Sequence, residues 1–463
     1  MKKRQHGLLA LTAIGSLVVL TACGPGAGGG TEDPAAEGFT ADISGTVQAW
    51  GFENADEVGT SRLDYAEELL SESDVTIEID AQAFDAQKFT TRAASGQSPD
   101  VVQMAAQFVT TYAAKGLIMP LDECYSVNDV DPDEAYYPQV MDDVSYDGSV
   151  YGVPQFYQPP AIIENVRVMN ETGVTSEDLD TSDTERFLEA VEKMTVMDGA
   201  NPTRIGFDPQ AVSQAGLWML SFGGEIIADD GQPALDNPKN VEAINFLKAI
   251  YDLEGGYANA KSFIDSFDIF GDGNSFVTDQ VGAAIFPQWY VNVLTPYVEE
   301  IEIGAVPVRH QETGNPFTVA QGQAFVIPAD AKNPSAACAW ALALTSLDAW
   351  KAAGEARNET TINDPDRNGI NSGLFTGSPA GDQAIRDAYV VETGTGFDQT
   401  IATYYEAAAN GQSFGSSPAG QQIQTELQNA VTAALLDEKS PEDALKDAQE
   451  AAQRAYDQAV ATG

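Results

Sequence analysis

The chain has 463 residues, of which 70 are acidic and 23 basic, giving a formal net charge of −47, and 43% of its positions are hydrophobic. That length exceeds what one hydrophobic core serves, so two or three lobes are expected. A field of this sign excludes nucleic acid and anionic lipid headgroups as partners and reads as solubility.

Lys2, Lys3 and Arg4 precede an apolar run from Leu8 to Leu20, which is shorter than the ~20 residues of a membrane span and suits the core of a signal peptide. Leu20-Thr21-Ala22-Cys23 resembles the lipobox of bacterial lipoproteins. That resemblance implies a signal peptide over 1–22 and lipidation of Cys23, with enough acyl chains for stable anchoring to the membrane. Loss of Lys2, Lys3 and Arg4 from the 23 basic residues leaves 20 against 70 acidic ones, −50. Residues 23–38 carry the Gly, Pro and acid content of a flexible tether, and the folded body is expected from Phe39.

Ser44–Asn54 alternates as a strand and ends in Trp50-Gly51-Phe52-Glu53, at the carboxyl end where ligands sit in open α/β sheets. Helical spacing over Arg62–Leu70, alternation over Asp74–Asp80, a helix after Phe84 closed by Gly96, and a third strand from Pro99 follow in turn. Phe108–Lys115 is helical and Gly116 stops it, completing the β-α-β-α rhythm of a parallel sheet. No period of ~20–50 residues recurs, which excludes a solenoid. Cys124 and Cys338 are the thiols left after lipidation; outside the cytoplasm a disulfide between them is favoured over two buried free thiols.

Tyr146–Asn165 reads as a crossing between two bodies with a ligand beside it. Asp147-Gly148 is a tight-turn pair, and Gly152, Pro154, Pro159 and Pro160 exclude a helix, leaving an extended segment that bears Tyr151, Gln155, Phe156, Tyr157 and Gln158. Further on, Asn237-Pro238, Asn333-Pro334 and Ser440-Pro441 each place a capping side chain before a proline at the first helical position. Asp443 completes a capping box with Ser440, and Ala444, Leu445, Ala448, Ala452, Ala455 and Tyr456 form one apolar face.

Catalytic signatures are sparse. His6 leaves with the signal peptide, so His310 is the one imidazole of the mature chain, and no histidine follows the G-x-S-x-G letters of Gly411–Gly415 as a nucleophile elbow requires. Paired carboxylates of a glycosidase remain open among so many acids. Asp364–Gly369 copies the first half of a calcium loop, but Phe375 stands where the closing glutamate belongs, so a polar turn and no metal are expected.

The stretches ASGQSPDVV, AAKGLIMPLDE, YDGSVYGVPQFYQ, ENVRVMNETGV, LSFGGEIIADDGQPALDNPKNVEAINFL, VGAAIFPQWY, AQGQAFVIPADAKNPSAACAWALAL and SPEDALKDAQE resemble, in order, the landmarks of the maltose-binding type of extracellular solute-binding protein. The departure is Glu164, where a tyrosine commonly precedes the asparagine. The resemblance implies a two-lobed, periplasmic-binding-protein-like α/β fold with mainly parallel sheets. Lobe 1 would be 39–153 with 323–395 and lobe 2 would be 157–318 with 398–461, with crossings near 154, 320 and 396. It implies a monomeric binder of an oligosaccharide or other sugar, without cofactor, that serves an ABC permease from the outer face of the cell membrane.

A sugar ring offers a C–H face to an aromatic side chain and hydroxyls to acids and amides. The expected ligand contacts are Trp50, Glu53, Gln107, Tyr157, Gln158 and Trp289, with Trp289 matching the family's stacking tryptophan and Gln158 a ligand-contacting glutamate; Trp218 is expected in the core. No arginine cluster stands ready for an anionic ligand. A secreted carbohydrate-active hydrolase, and a sensor or adhesin of the same fold, are the rival readings.

Overall fold

A computed structural model describes residues 38–52, 55–319 and 321–462. The expected signal peptide, Cys23, most of the expected tether and Glu53 lie outside the described residues.

The first three strands, β1 (Gly45–Trp50), β2 (Val75–Asp80) and β3 (Val101–Ala105), are parallel, with β1 in the middle. The helices between them, Glu57–Leu70 and Ala86–Ala94, start at Asp56 and Asp85. Their carboxylates accept the N–H groups of Gly59 at 2.9 Å and Lys88 at 2.6 Å, satisfying donors that have no partner inside the helix. β4 (Ser145–Tyr146) and β5 (Ser149–Val150) form a hairpin in which Asp147 and Gly148 both have positive φ, 48° and 80°. That is the turn whose twist matches the flanking strands.

The later strands are β6 (Val153–Tyr157), β7 (Pro160–Asn165), β8 (Val196–Asp198), β9 (Asn201–Asp208), β10 (Val281–Pro287), β11 (Ile303–Val306), β12 (Val308–Arg309), β13 (Pro316–Val319), β14 (Gly322–Val326) and β15 (Gly411–Gln412). Two five-stranded sheets result, ordered β2-β1-β3-β14-β6 and β11-β7-β10-β9-β8. Each contains parallel strands with reversed ones among them: in the first sheet β14 alone runs against β2, β1, β3 and β6, and in the second β9, β10 and β11 run together against β7 and β8. A strand reached through a helical return enters its sheet from the same end as its predecessor. A strand reached by crossing from the other lobe does not.

β6 belongs to the first sheet through Tyr157 and β7 to the second from Pro160. The chain therefore passes from one sheet to the other at Gln158-Pro159, and Pro154, near which a crossing is expected, pairs with Ala324 in the first sheet. The Gln158 N–H donates to the Gln321 carbonyl at 2.7 Å, so two crossing strands run side by side. On the way back from the first lobe, Gln399 in the helix Gly396–Ala408 brackets Ala305 of β11, accepting its N–H at 2.8 Å and donating to its carbonyl at 2.6 Å.

Phe52, Phe325 and Trp340 pack together in the core of the first lobe, and Phe187, Phe207, Trp218 and Phe246 in that of the second. A disulfide joins Cys124, on the helix Asp122–Val127, to Cys338, on Pro334–Thr345, with Cα atoms 5.9 Å apart. Asn237 and Ser440 accept N–H groups at their helix starts, from Lys239 at 2.9 Å and Asp443 at 3.1 Å. Asn333 does not cap its helix: its amide donates to the carbonyls of Ser44 and Thr46 and pins the start of β1. Glu164 lies buried in β7 with a hydrogen bond from Ser176 at 3.1 Å, and burial pushes its pKa up to about 7. Residues 365–367 form a short turn in which Arg367 lies 3.8 Å from Asp364.

Candidate ligand-binding cleft

Carboxyl ends of strands from both sheets face one another where the chain crosses. β3 ends at Ala105 and leads to Gln107; β9 ends at Asp208 and leads to the small residues Ala211, Val212 and Ser213. These ends enclose a cavity of about 240 Å³ whose polar lining includes Gln107, Ser213, Gln321, Gln424 and Gln428, with Phe414 beside them. Gln321 is held by its amide, which donates to Gln214 at 2.8 Å.

Beneath the cleft runs a buried polar chain. Arg62 donates to Gln155 at 3.3 Å, Gln155 donates to Gln103 at 2.7 Å, and Gln103 bonds Gln323. It ties the helix Glu57–Leu70 to β6, β3 and β14. The Arg62 guanidinium is also covered by aromatic rings, lying 4.0 Å from the Trp350 ring centroid and 5.1 Å from that of Phe156. Burial lowers its pKa to about 9. A charge so enclosed orders the floor and is not displayed to a ligand.

A second cavity, about 220 Å³, lies at the end of β10 and is lined by Trp289, Gln158, Gln288, Asn292, Phe156 and Arg357 among others. Trp289 is half-buried; its ring lies against Phe270 at 6.2 Å with 18° between planes, and meets Tyr290 edge-on at 5.8 Å. Gln288 donates to the Ser372 hydroxyl at 3.0 Å, and that hydroxyl donates to Asn292 at 2.8 Å. Arg357 is held by Asp56, at 3.3 Å, and Glu57. The result is an aromatic face ringed by amides whose orientations are set by their neighbours.

Of the expected ligand contacts, Gln107, Gln158 and Trp289 line these cavities. Trp50 does not. It is 1% exposed, because Lys88 and Arg92 of the following helix lie over its ring at 4.8 Å and 5.0 Å and Phe84 packs at 5.6 Å. Tyr157 is also withdrawn, at 0% exposure: Tyr137 packs edge-on at 5.5 Å, and its hydroxyl abuts Gly411 so closely that a side chain there would clash. Trp218 is in the core, its indole N–H donating to the Pro209 carbonyl at 2.9 Å. Gln288, Asn292, Gln321, Gln424 and Gln428 were not anticipated. Gln424 and Gln428 share a helix face by their i, i+4 spacing, but that signal does not distinguish a cleft from solvent.

A family model described as bacterial extracellular solute-binding protein matches residues 64–365. The maltotriose-binding protein of Pyrococcus abyssi is 27% identical over 154 residues, 33% of this chain and 31% of that protein. The arabinooligosaccharide-binding protein of Halalkalibacterium halodurans is 27% identical over 160 residues, 31% of each chain. The chain thus matches about a third of the length of these relatives. Among solved structures, CpMnBP1 with mannobiose bound superposes with a TM-score of 0.70 at 19% identity, covering 88% of this chain and 99% of that one. The ABC substrate-binding protein Lmo0181 from Listeria monocytogenes, in complex with cycloalternan, gives 0.68 at 16% identity, covering 89% and 98%.

Proposed function

Because the chain belongs to the bacterial extracellular solute-binding proteins and has a two-lobed α/β fold, we propose that it captures an oligosaccharide between its lobes and delivers it to an ABC permease. The observation that carries this reading is Trp289, half-exposed beside Gln158, Gln288 and Asn292. An aromatic face with fixed amides around it suits a sugar, whose rings stack and whose hydroxyls both donate and accept.

The crossing strands at Gln158-Pro159 and Gln321 act as the hinge. Closure over a ligand expels water from the cleft and strengthens each hydrogen bond made there. Lipidation of Cys23 holds the protein at the outer face of the cell membrane with residues 24–38 as tether; no helix of the described residues is long and apolar enough to cross a membrane. Selection is physical binding, and the ligand leaves chemically unchanged.

A thermal-shift screen over neutral oligosaccharides tests the reading, since a ligand at a hundred times its Kd stabilises the fold by about 2.7 kcal/mol. A shift with one glycan class and no release of reducing ends supports a binder. Release of reducing ends would favour the hydrolase, and no shift with any glycan would remove the sugar reading.

A further inference from the structure

The small residues that follow β9 leave an opening. Val212, Ser213 and Gln428 line both the glutamine-rich cavity and a larger pocket of about 440 Å³ in the second lobe, within the ~300–1,000 Å³ of small-molecule sites. Its wall includes Tyr251, Tyr257, Phe267, Phe286 and Tyr290. Phe286 stacks on Tyr290 with centroids 3.7 Å apart and 9° between planes, and Tyr251 meets Tyr257 edge-on at 4.9 Å. Tyr290 also joins the pocket to the Trp289 surface, since the two rings touch.

At the base lies Asp208, the last residue of β9, 7% exposed. One oxygen accepts the Gln210 N–H at 2.9 Å; the other has no hydrogen-bond partner among the described residues. That oxygen is not sealed off and can accept a hydrogen bond from a group in the pocket, which Lys261 also lines.

The wall is held in place from behind. Gln210 sits at φ 46°, in the left-handed region that a side chain of its kind rarely adopts, and its amide donates to the Ile285 carbonyl at 2.7 Å. The Trp218 indole fixes the Pro209 carbonyl at 2.9 Å, and the Ser213 hydroxyl donates to the Gln210 carbonyl at 3.1 Å. Strain held by three hydrogen bonds is what a preorganised site needs and what a packing defect lacks.

We propose that this pocket is an additional subsite that receives the end unit of a neutral oligosaccharide, stacked on the partly exposed Tyr257 with a hydroxyl donated to Asp208. The inference rests on the sugar reading of the cleft and makes it more specific. Ligands longer than a disaccharide are preferred.

Titration calorimetry of the mature chain tests this with maltose, mannobiose and arabinobiose and their homologues up to the pentasaccharides. For the series that binds, wild-type affinity is expected to rise about tenfold or more with length, one further stacked and hydrogen-bonded unit contributing on that scale. Tyr257→Ala and the isosteric Asp208→Asn should each cancel about tenfold of the gain while leaving the disaccharide little changed. Unliganded melting identifies any variant that is merely misfolded, and Asp208→Asn retains the acceptor for Gln210. Equal affinity of wild type and both variants at every length overturns the subsite, as does an equal loss at every length. Failure of the wild type to bind any series removes the sugar reading itself, and the subsite with it.

Discussion

Ser413 donates its hydroxyl to the carboxylate of Asp143, linking the residue after β15 in the second lobe to the helix Pro138–Asp143 of the first. Asp143 is buried, and burial pushes its pKa up to about 7, with the Ser413 bond acting in the opposite direction. Ser413→Ala should therefore cost about 1–3 kcal/mol, because the carboxylate stays buried while losing a donor. Urea denaturation checks this, and unchanged stability at neutral pH would show the bond to be dispensable.

Trp289→Ala should weaken sugar binding by about 5- to 150-fold, corresponding to the ~1–3 kcal/mol of an aromatic stacking surface. Melting without ligand should change little, since the ring is half-exposed and its neighbour Phe270 is 69% exposed. Calorimetry and unliganded melting of this one variant separate a ligand platform from a packing residue.

Acidification should stabilise the fold down to about pH 4. Burial raises Asp143, Glu164 and Asp382 to about 7 and Asp208 to about 6. Each native group then holds a proton that the unfolded chain, with carboxyl pKa values of ~3.9–4.3, has released. The stability these groups contribute is present below about pH 4 and is lost as pH rises towards 7. Asp178 opposes this at the acid end, held down to about 2 by the Thr175 hydroxyl and by Arg186. Scanning calorimetry should give a higher Tm at pH 5 than at pH 7.5; the reverse order would contradict the burial of these acids.

Reduction of the disulfide, or Cys338→Ala, should destabilise the first lobe by about 2–5 kcal/mol, since the bridge closes a long loop in the unfolded chain. Cys124 and Cys338 are 214 positions apart in sequence. Peptide mapping of the unreduced protein should find neither thiol alkylated.

Cys23→Ala should release the protein into the medium while leaving ligand-induced melting shifts unchanged. Fatty-acid labelling of the variant equal to that of the wild type would exclude lipidation at this cysteine.

What the sequence by itself determined is local. Asn237 and Ser440 cap helices, Asp147-Gly148 turns a hairpin and Pro154 to Pro160 stay extended, because each outcome depends on side-chain chemistry within a few residues. The family landmarks in register added the two-lobed fold and Trp289. Tertiary structure decided which of two similarly placed tryptophans is available. Trp50 and Trp289 both stand at a strand's end, but Lys88, Arg92 and Phe84 close over the first and the second borders a cavity. It also decided that Tyr157 would press against Gly411, that Asn333 would hold β1 instead of its own helix, and that Gln288 and Asn292, Gln321, and Gln424 and Gln428, from three segments, would line the cleft with Gln107 and Gln158. Periodicity indicates which face of an element is turned inward; what covers that face comes from residues remote in the chain, and their arrival is set by packing across the whole fold.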